Sequence, residues 1–157
     1  MDIFLMQHGL ATSAEEDVSR PLTPEGRDGI ERIAARVRNA GIRADICVHS
    51  GKTRAEQTAR ILAEAVGTTA EARDGLNPSD PVPPFADWLQ EQARQSPQGA
   101  IAVVGHLPFL DRLASLLVAG DEQAQAVRFQ NGGLVKLVPK YEAAGFTVAW
   151  ILPPDLA

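Results

Sequence analysis

The chain has 157 residues, 45% of them apolar and 22% charged, a balance that predicts one folded domain, residues 1–157, with a sizeable core. Its net charge of −5 argues against nucleic acid or an anionic membrane as the main partner, since both attract net-basic surfaces. The lone cysteine, Cys47, cannot form an internal disulfide, the start carries no basic targeting segment, and no window approaches the roughly 20 apolar residues of a membrane span; a soluble, cytoplasmic chain is expected.

Residues 2–7 (DIFLMQ) are apolar and partly branched or aromatic, predicting a short buried strand stopped by Gly9. Residues 10–22 are polar and without period, and read as loop. Thr23-Pro24-Glu25 then offers a capping hydroxyl, a proline in the first turn and an acid at the positive end of the helix dipole. Ile30, Ile33, Ala34 and Val37 follow at helical spacing, and Gly41 marks a stop. Residues 45–49 predict a second strand, in which Cys47 reads as core. Ser50 and Thr53 are the expected caps of a helix running to Val66, with Ala55, Ala59, Leu62 and Val66 on its apolar face.

A weak strand over residues 68–72 leads into the loop RDGLNPSDPVPP, and residues 85–95 predict a helix with Phe85, Trp88 and Leu89 toward the core. Residues 100–105 (AIAVVG) form the clearest buried strand, after which Pro108 starts a helix carrying Leu110, Leu113, Ala114 and Leu117. Two strands close the chain, residues 133–138 and 146–152, the second placing Trp150 in the core. Strands alternating with helices give an α/β three-layer sandwich: one mostly parallel sheet with helices on both faces, the last two strands allowing a mixed sheet.

All three histidines, His8, His49 and His106, fall at predicted strand ends, where ligand sites of open α/β sheets gather. Gly9 would let backbone amides approach a ligand, and the helix start after His106 could face an anion. Arg54 lies in a helical first turn, where the dipole favours an acid, so it reads either as a solvated arginine or as a phosphate clamp. Two imidazoles, an arginine and helix N-termini suit phosphoryl transfer, which runs on positioning and charge stabilisation.

Four motifs occur in order: QHG at residues 7–9, RPLTPEGR at 20–27, SGKTRAEQT at 50–58 and VGHLPFL at 104–110. Together they resemble the histidine phosphatase superfamily, specifically its small SixA-type phosphohistidine phosphatases, and the resemblance implies a phosphoglycerate mutase-like fold. It further implies that His8 is a nucleophile that becomes transiently phosphorylated, that Arg54 binds the phosphoryl oxygens and that His106 stabilises the transition state. Gln7, Gly9, Lys52 and Gly105 complete the expected substrate-binding set. No cofactor or metal is implied, and the partner would be a phosphorylated protein of the histidine-phosphotransfer type or a small phosphorylated molecule.

Two positions depart from the family pattern. The motif is normally Arg-His-Gly, so Gln7 exchanges a permanent cation for a neutral amide. Either Lys52 or His49 restores the charge, or the chain is a weakened enzyme or a phospho-ligand binding module. Mutase-like relatives also carry a glutamate after the third strand, where this chain has Gly75-Leu76; Asp74 and Asp80 are the nearby alternatives for a general acid, although turn aspartates usually cap backbone amides. Imidazole leaves far more easily than an alkoxide, so a site without an acid suits phosphohistidine better than a phosphate ester and counts against a small-molecule phosphomonoesterase or mutase. Asn131-Gly132-Gly133 reads as a turn into a strand, with a role at the pocket rim as the alternative. A zinc site from His8, His49 and His106 is a further alternative, unsupported by ligand spacing.

Overall fold

The computed structural model describes all 157 residues. Side chains of a strand alternate between the two faces of its sheet, and the first strand, β1 (Asp2–Gln7), uses both faces for burial. Ile3 and Leu5 enter one apolar cluster, Phe4 and Met6 the other. The chain continues through α1 (Pro24–Asn39), β2 (Ile46–His49), α2 (Thr53–Val66), β3 (Ala70–Ala72), α3 (Pro83–Gln95), β4 (Ala100–Gly105), α4 (Phe109–Ala119), β5 (Leu134–Pro139) and β6 (Phe146–Leu152), closing with a 3₁₀ turn at Pro154–Leu156.

The six strands form one sheet in the order β3-β2-β4-β1-β5-β6. The four strands β3, β2, β4 and β1 are mutually parallel, while β5 runs antiparallel to β1 and β6 antiparallel to β5. The sheet is therefore mixed, as its last two strands allowed. β4 splits its side chains as β1 does: Ile101 and Val103 pack with Phe85, Leu89, Leu110 and Leu113 of α3 and α4, while Ala102 and Val104 pack with Ile30, Val37, Ala59 and Leu62 of α1 and α2. Two helices on each face make the three-layer sandwich.

Local chemistry explains most of the boundaries. Thr23 caps α1, its hydroxyl accepting from the Gly26 amide at 2.9 Å, worth about 1 kcal/mol. Cys47 is buried, its thiol pushed up to about 12 by that burial, which makes it an inert core side chain. Two expectations need correction. Neither Ser50 nor Thr53 caps α2: its N-cap is Lys52, with no side-chain bond to the helix amides, and Ser50 is engaged elsewhere. Trp150 is only half-buried, because β6 is the sheet edge and its indole packs against Phe4 from one side at 6.1 Å. Trp88 packs against the core as expected, half-buried between Phe85 and the Arg73 guanidinium, which sits 4.0 Å above its ring.

Candidate active site

Because β1, β2, β3 and β4 are parallel, their carboxyl ends share one edge of the sheet, and His8, His49 and His106 all stand there. Only two of them meet. The imidazoles of His8 and His106 lie 5.1 Å apart, centre to centre, tilted by 54°. The His8 amide donates to the Gly105 carbonyl at 3.1 Å, extending the β1–β4 ladder by one rung and bringing the segments after both strands together.

Both ring nitrogens of His8 are assigned by their partners. Nδ1 lies 2.7 Å from the Gly9 carbonyl, which can only accept, so Nδ1 carries the proton. Nε2 accepts from Nε of Arg54 at 3.2 Å and therefore presents a lone pair. Burial lowers the His8 pKa; the bond to Gly9 opposes that effect, and the charges of Arg54 and Arg20 add to it. The result is a neutral imidazole whose nucleophilic nitrogen faces a guanidinium.

His106 is 2% exposed, and burial, followed by the charges of His8, Arg54, Lys52 and Arg20, lowers its pKa to about 3. It too is neutral. Its Nε2 lies 2.5 Å from the Ser50 hydroxyl, whereas its Nδ1 is buried without a partner. Arg54 stands in the first turn of α2, as expected, and its own pKa is lowered by burial and by Arg20. Its approach to His8 favours the clamp over the solvated reading.

The other expected residues take different parts. Gly9 does not offer its amide to a ligand, since that N–H donates to the Thr58 hydroxyl at 3.1 Å. A Cβ at Gly9 would lie 3.0 Å from both Ile30 and Leu22, so the glycine serves close packing. Gly105 acts through its backbone carbonyl beneath His8. Gln7 is half-buried, its Oε1 enclosed without a hydrogen-bond partner. Lys52 is near enough for its charge to lower the His106 pKa.

His49 cannot restore the charge missing at Gln7. It is buried with a lowered pKa, and its Nδ1 accepts from the Gly51 amide at 3.1 Å, so it is neutral and shapes the turn into α2. Nor does a zinc site form, because no three His, Cys, Asp or Glu side chains gather as a ligand group. Asp80 caps a turn, accepting from the Asn77 amide at 2.8 Å, and Asp74 is exposed. No carboxylate is among the charges acting on His8, Arg54 or His106.

Three contributors were not assigned from the sequence. Thr58 is fully buried and bridges two segments, accepting from Gly9 and donating to the Arg54 carbonyl at 2.7 Å. Ser50 holds His106. Arg20 contributes charge to His8, Arg54 and His106 alike. Asn131 and Gly132 do lie at the rim: the Asn131 amide donates to the His8 carbonyl at 3.1 Å, and the Gly132 N–H reaches the carbonyls of Gln7 and His8 at 3.0 and 3.1 Å. A groove of about 390 Å³ lies at the start of α4, lined by Leu107, Pro108, Val127 and Phe129 together with Asp111, Gln125 and Arg128.

Residues 3–80 match the family model of the histidine phosphatase superfamily (branch 1). The structure of the protein histidine phosphatase SixA complexed with tungstate superposes with a TM-score of 0.85 at 25% identity, covering 99% of this chain and 98% of that one. An uncharacterized protein of Picosynechococcus sp. is 30% identical over 141 residues, covering 87% of this chain and 84% of that protein. The mitochondrial serine/threonine-protein phosphatase PGAM5 of Mus musculus is 33% identical over 105 residues, which is 62% of this chain and 36% of that protein, so the chain matches about a third of it. The fold is phosphoglycerate mutase-like, and the chain belongs to the histidine phosphatase superfamily.

Proposed function

We propose that this protein is a metal-independent phosphohistidine phosphatase that works through a phosphoryl group carried on His8. The observation that carries this reading is the pair of bonds to the His8 ring: Nδ1–H to the Gly9 carbonyl and Nε2 to Arg54. A neutral imidazole held in that tautomer needs no base to activate it. Nε2 attacks phosphorus, the phosphorus–nitrogen bond of the donor breaks, and the leaving imidazole is stabilised by protonation from solvent. Water then attacks phospho-His8, releasing phosphate and restoring the neutral ring. Arg54 and the other cations of the pocket offset the charge of the transferring oxygens, and His106, neutral and held by Ser50, faces the same space.

Two features support a protein phosphoramidate over a metabolite ester. No carboxylic acid stands among the groups acting on the site, and an alkoxide would need one to leave. The rim also exposes apolar side chains, Leu10, Val18 and Leu107, on the very loops that follow the two histidines. Gln7 favours the second reading, a phospho-ligand binding module with little turnover. Early-quench intact-mass measurement with phosphoramidate as donor separates the two. The phosphatase reading expects one acid-labile phosphoryl group on wild type, which turns over in the presence of a chelator and is missing from His8→Ala. No adduct and no phosphate release would leave the binding module.

A further inference from the structure

We propose that the groove at the start of α4 seats the polypeptide that flanks the phosphohistidine of a protein substrate, with Arg128 selecting a flank that sets an apolar side chain beside a carboxylate. The inference rests on the phosphohistidine phosphatase reading and names the part of the substrate, beyond the phosphoryl group, that the protein recognises.

The first support is where the groove lies. One wall is Leu107 and Pro108, the residues that follow His106. The other carries Val127, Arg128 and Phe129 and runs on to Asn131 and Gly132, where the Asn131 side-chain amide and the Gly132 N–H each donate to the His8 carbonyl at 3.1 Å. Both walls thus continue the segments that hold the two site histidines. A phosphohistidine is one residue of a longer chain, which has to leave the site over its walls.

The second support is that the groove is ready-formed. Residues 121–133 belong to no helix or strand, yet they are fixed at both ends. Glu122 is paired with Arg112 of α4, the Ala126 amide donates to the fully buried Ser115 hydroxyl at 3.1 Å, and Val127 is buried. Asn131 and Gly132 tie the far end to the His8 carbonyl. Between them Gln125 sits at φ +49°, a left-handed conformation that costs free energy and persists only where its surroundings impose it. Seating a partner on such a wall requires little further ordering.

The third support is the chemistry of the lining. Leu107 is exposed and Phe129 half-buried, so both offer apolar surface to an incoming side chain. A volume of about 390 Å³ falls within the roughly 300–1,000 Å³ of small-ligand pockets and leaves room for a few side chains. Two charged groups line it. Asp111 stands in the first turn of α4, where the positive end of the helix dipole offsets its charge. Arg128 is exposed and takes no part in any ion pair, although the chain has 20 acidic residues against 15 basic ones. The uncompensated charge of the groove is therefore a cation set between two apolar residues, and its complement is an apolar side chain beside an Asp or Glu.

The test measures phosphate release from phosphoramidate and from synthetic peptides that each carry a single phosphohistidine, flanked on both sides by leucine and glutamate, by leucine and lysine, or by glycine. Wild type should prefer the leucine–glutamate peptide to the leucine–lysine peptide roughly 3- to 5-fold in kcat/KM, and to the glycine peptide roughly 10-fold. Both preferences should lie in KM with kcat unchanged, because contacts away from the reacting bond hold substrate and transition state alike. Arg128→Glu should invert the first preference and Arg128→Gln abolish it, while phosphoramidate, which has no flank, is hydrolysed equally by all of these proteins. The inference is overturned by Arg128→Glu keeping the wild-type order of peptides, by wild type treating the glycine and leucine–glutamate peptides alike, or by a variant slowed as much on phosphoramidate as on the peptides. Wild type that releases no phosphate from phosphoramidate overturns the phosphatase reading, and this inference with it.

Discussion

Replacing Thr58 with valine tests the idea that one buried hydroxyl keeps the nucleophile in register with its clamp. The two side chains are nearly isosteric, so the change removes hydrogen bonds and leaves the packing almost intact. Thr58 is fully buried, accepts from the Gly9 amide at 3.1 Å and donates to the Arg54 carbonyl at 2.7 Å. The Arg54 carbonyl lies inside α2 and keeps its helical partner. The Gly9 N–H has no second acceptor and becomes an unsatisfied buried donor, costing about 1–3 kcal/mol. For a chain of this length, about 2 kcal/mol lowers the melting temperature by about 4–8 °C. Activity should fall further than stability implies: Gly9 is the residue whose carbonyl fixes the His8 tautomer, and a misplacement of about 1 Å can cost roughly 100-fold in rate. The assay is paired, with thermal unfolding for stability and phosphate release from phosphoramidate for kcat. Thr58→Ser, which keeps the hydroxyl, is the comparison and should retain most of the rate. Thr58→Val melting within about 1 °C of wild type, with unchanged kcat, would refute the reasoning.

Two further outcomes are expected. Ser50→Ala frees His106 Nε2 from its 2.5 Å partner and should lower kcat roughly 10-fold with little change in KM, a fraction of the roughly 10²–10³ that a preorganised transition-state hydrogen-bond group supplies; Ser50→Thr should rescue it, and equal kcat for wild type and Ser50→Ala in phosphate-release assays counts against a positioning role. Stability should also depend on pH through His106, whose folded pKa of about 3 lies below an unfolded value of about 6.5. The unfolded chain then binds the proton first, so stability is complete above pH 6.5 and is lost as pH falls toward 3, at up to about 1.4 kcal/mol per pH unit. Urea unfolding between pH 7 and pH 4 should show a shallower loss for His106→Asn than for wild type, and identical slopes would exclude the linkage.

What the sequence revealed follows from which signals are local. Continuous apolar runs in β1 and β4, helical spacing in α1 and α2, and the glycine and proline stops are properties of short windows, and the observed elements match them to within a few residues. Arg54 was visible because a cation in a helical first turn is out of place electrostatically. His49 shows the limit of the same logic. A strand end brings a residue to the right edge of the sheet but does not choose its face. Cys47, two residues earlier, enters the α1–α2 cluster, and His49, by the same alternation, turns to that side and away from His8 and His106. Thr58 and Arg20 were illegible for a different reason. The role of Thr58 depends on a bond across 49 positions, and that of Arg20 on a left-handed backbone fixed partly by Gln57, beyond the loop.

The site's electrostatics and its chemistry are one arrangement. An imidazole nucleophile must stay unprotonated, and the usual way of holding a histidine in place, a carboxylate on its far nitrogen, raises its pKa and works against that. Here the far nitrogen of His8 is held by the uncharged Gly9 carbonyl, while burial and the cations Arg54 and Arg20 lower the pKa. The same cations lower the pKa of His106 and oppose one another, Arg20 lowering that of Arg54. The chain itself supplies this pocket with positive charge and no counter-charge, and the pocket's geometry depends on bonds to uncharged partners in Gly9, Thr58, Ser50 and Thr12. A phosphoryl group would be the only anion in the site, so its binding relieves the repulsion at the position where Nε2 presents its lone pair. On this account an added carboxylate near His8 would do more harm than the loss of one cation: it would protonate the nucleophile and occupy the clamp at once.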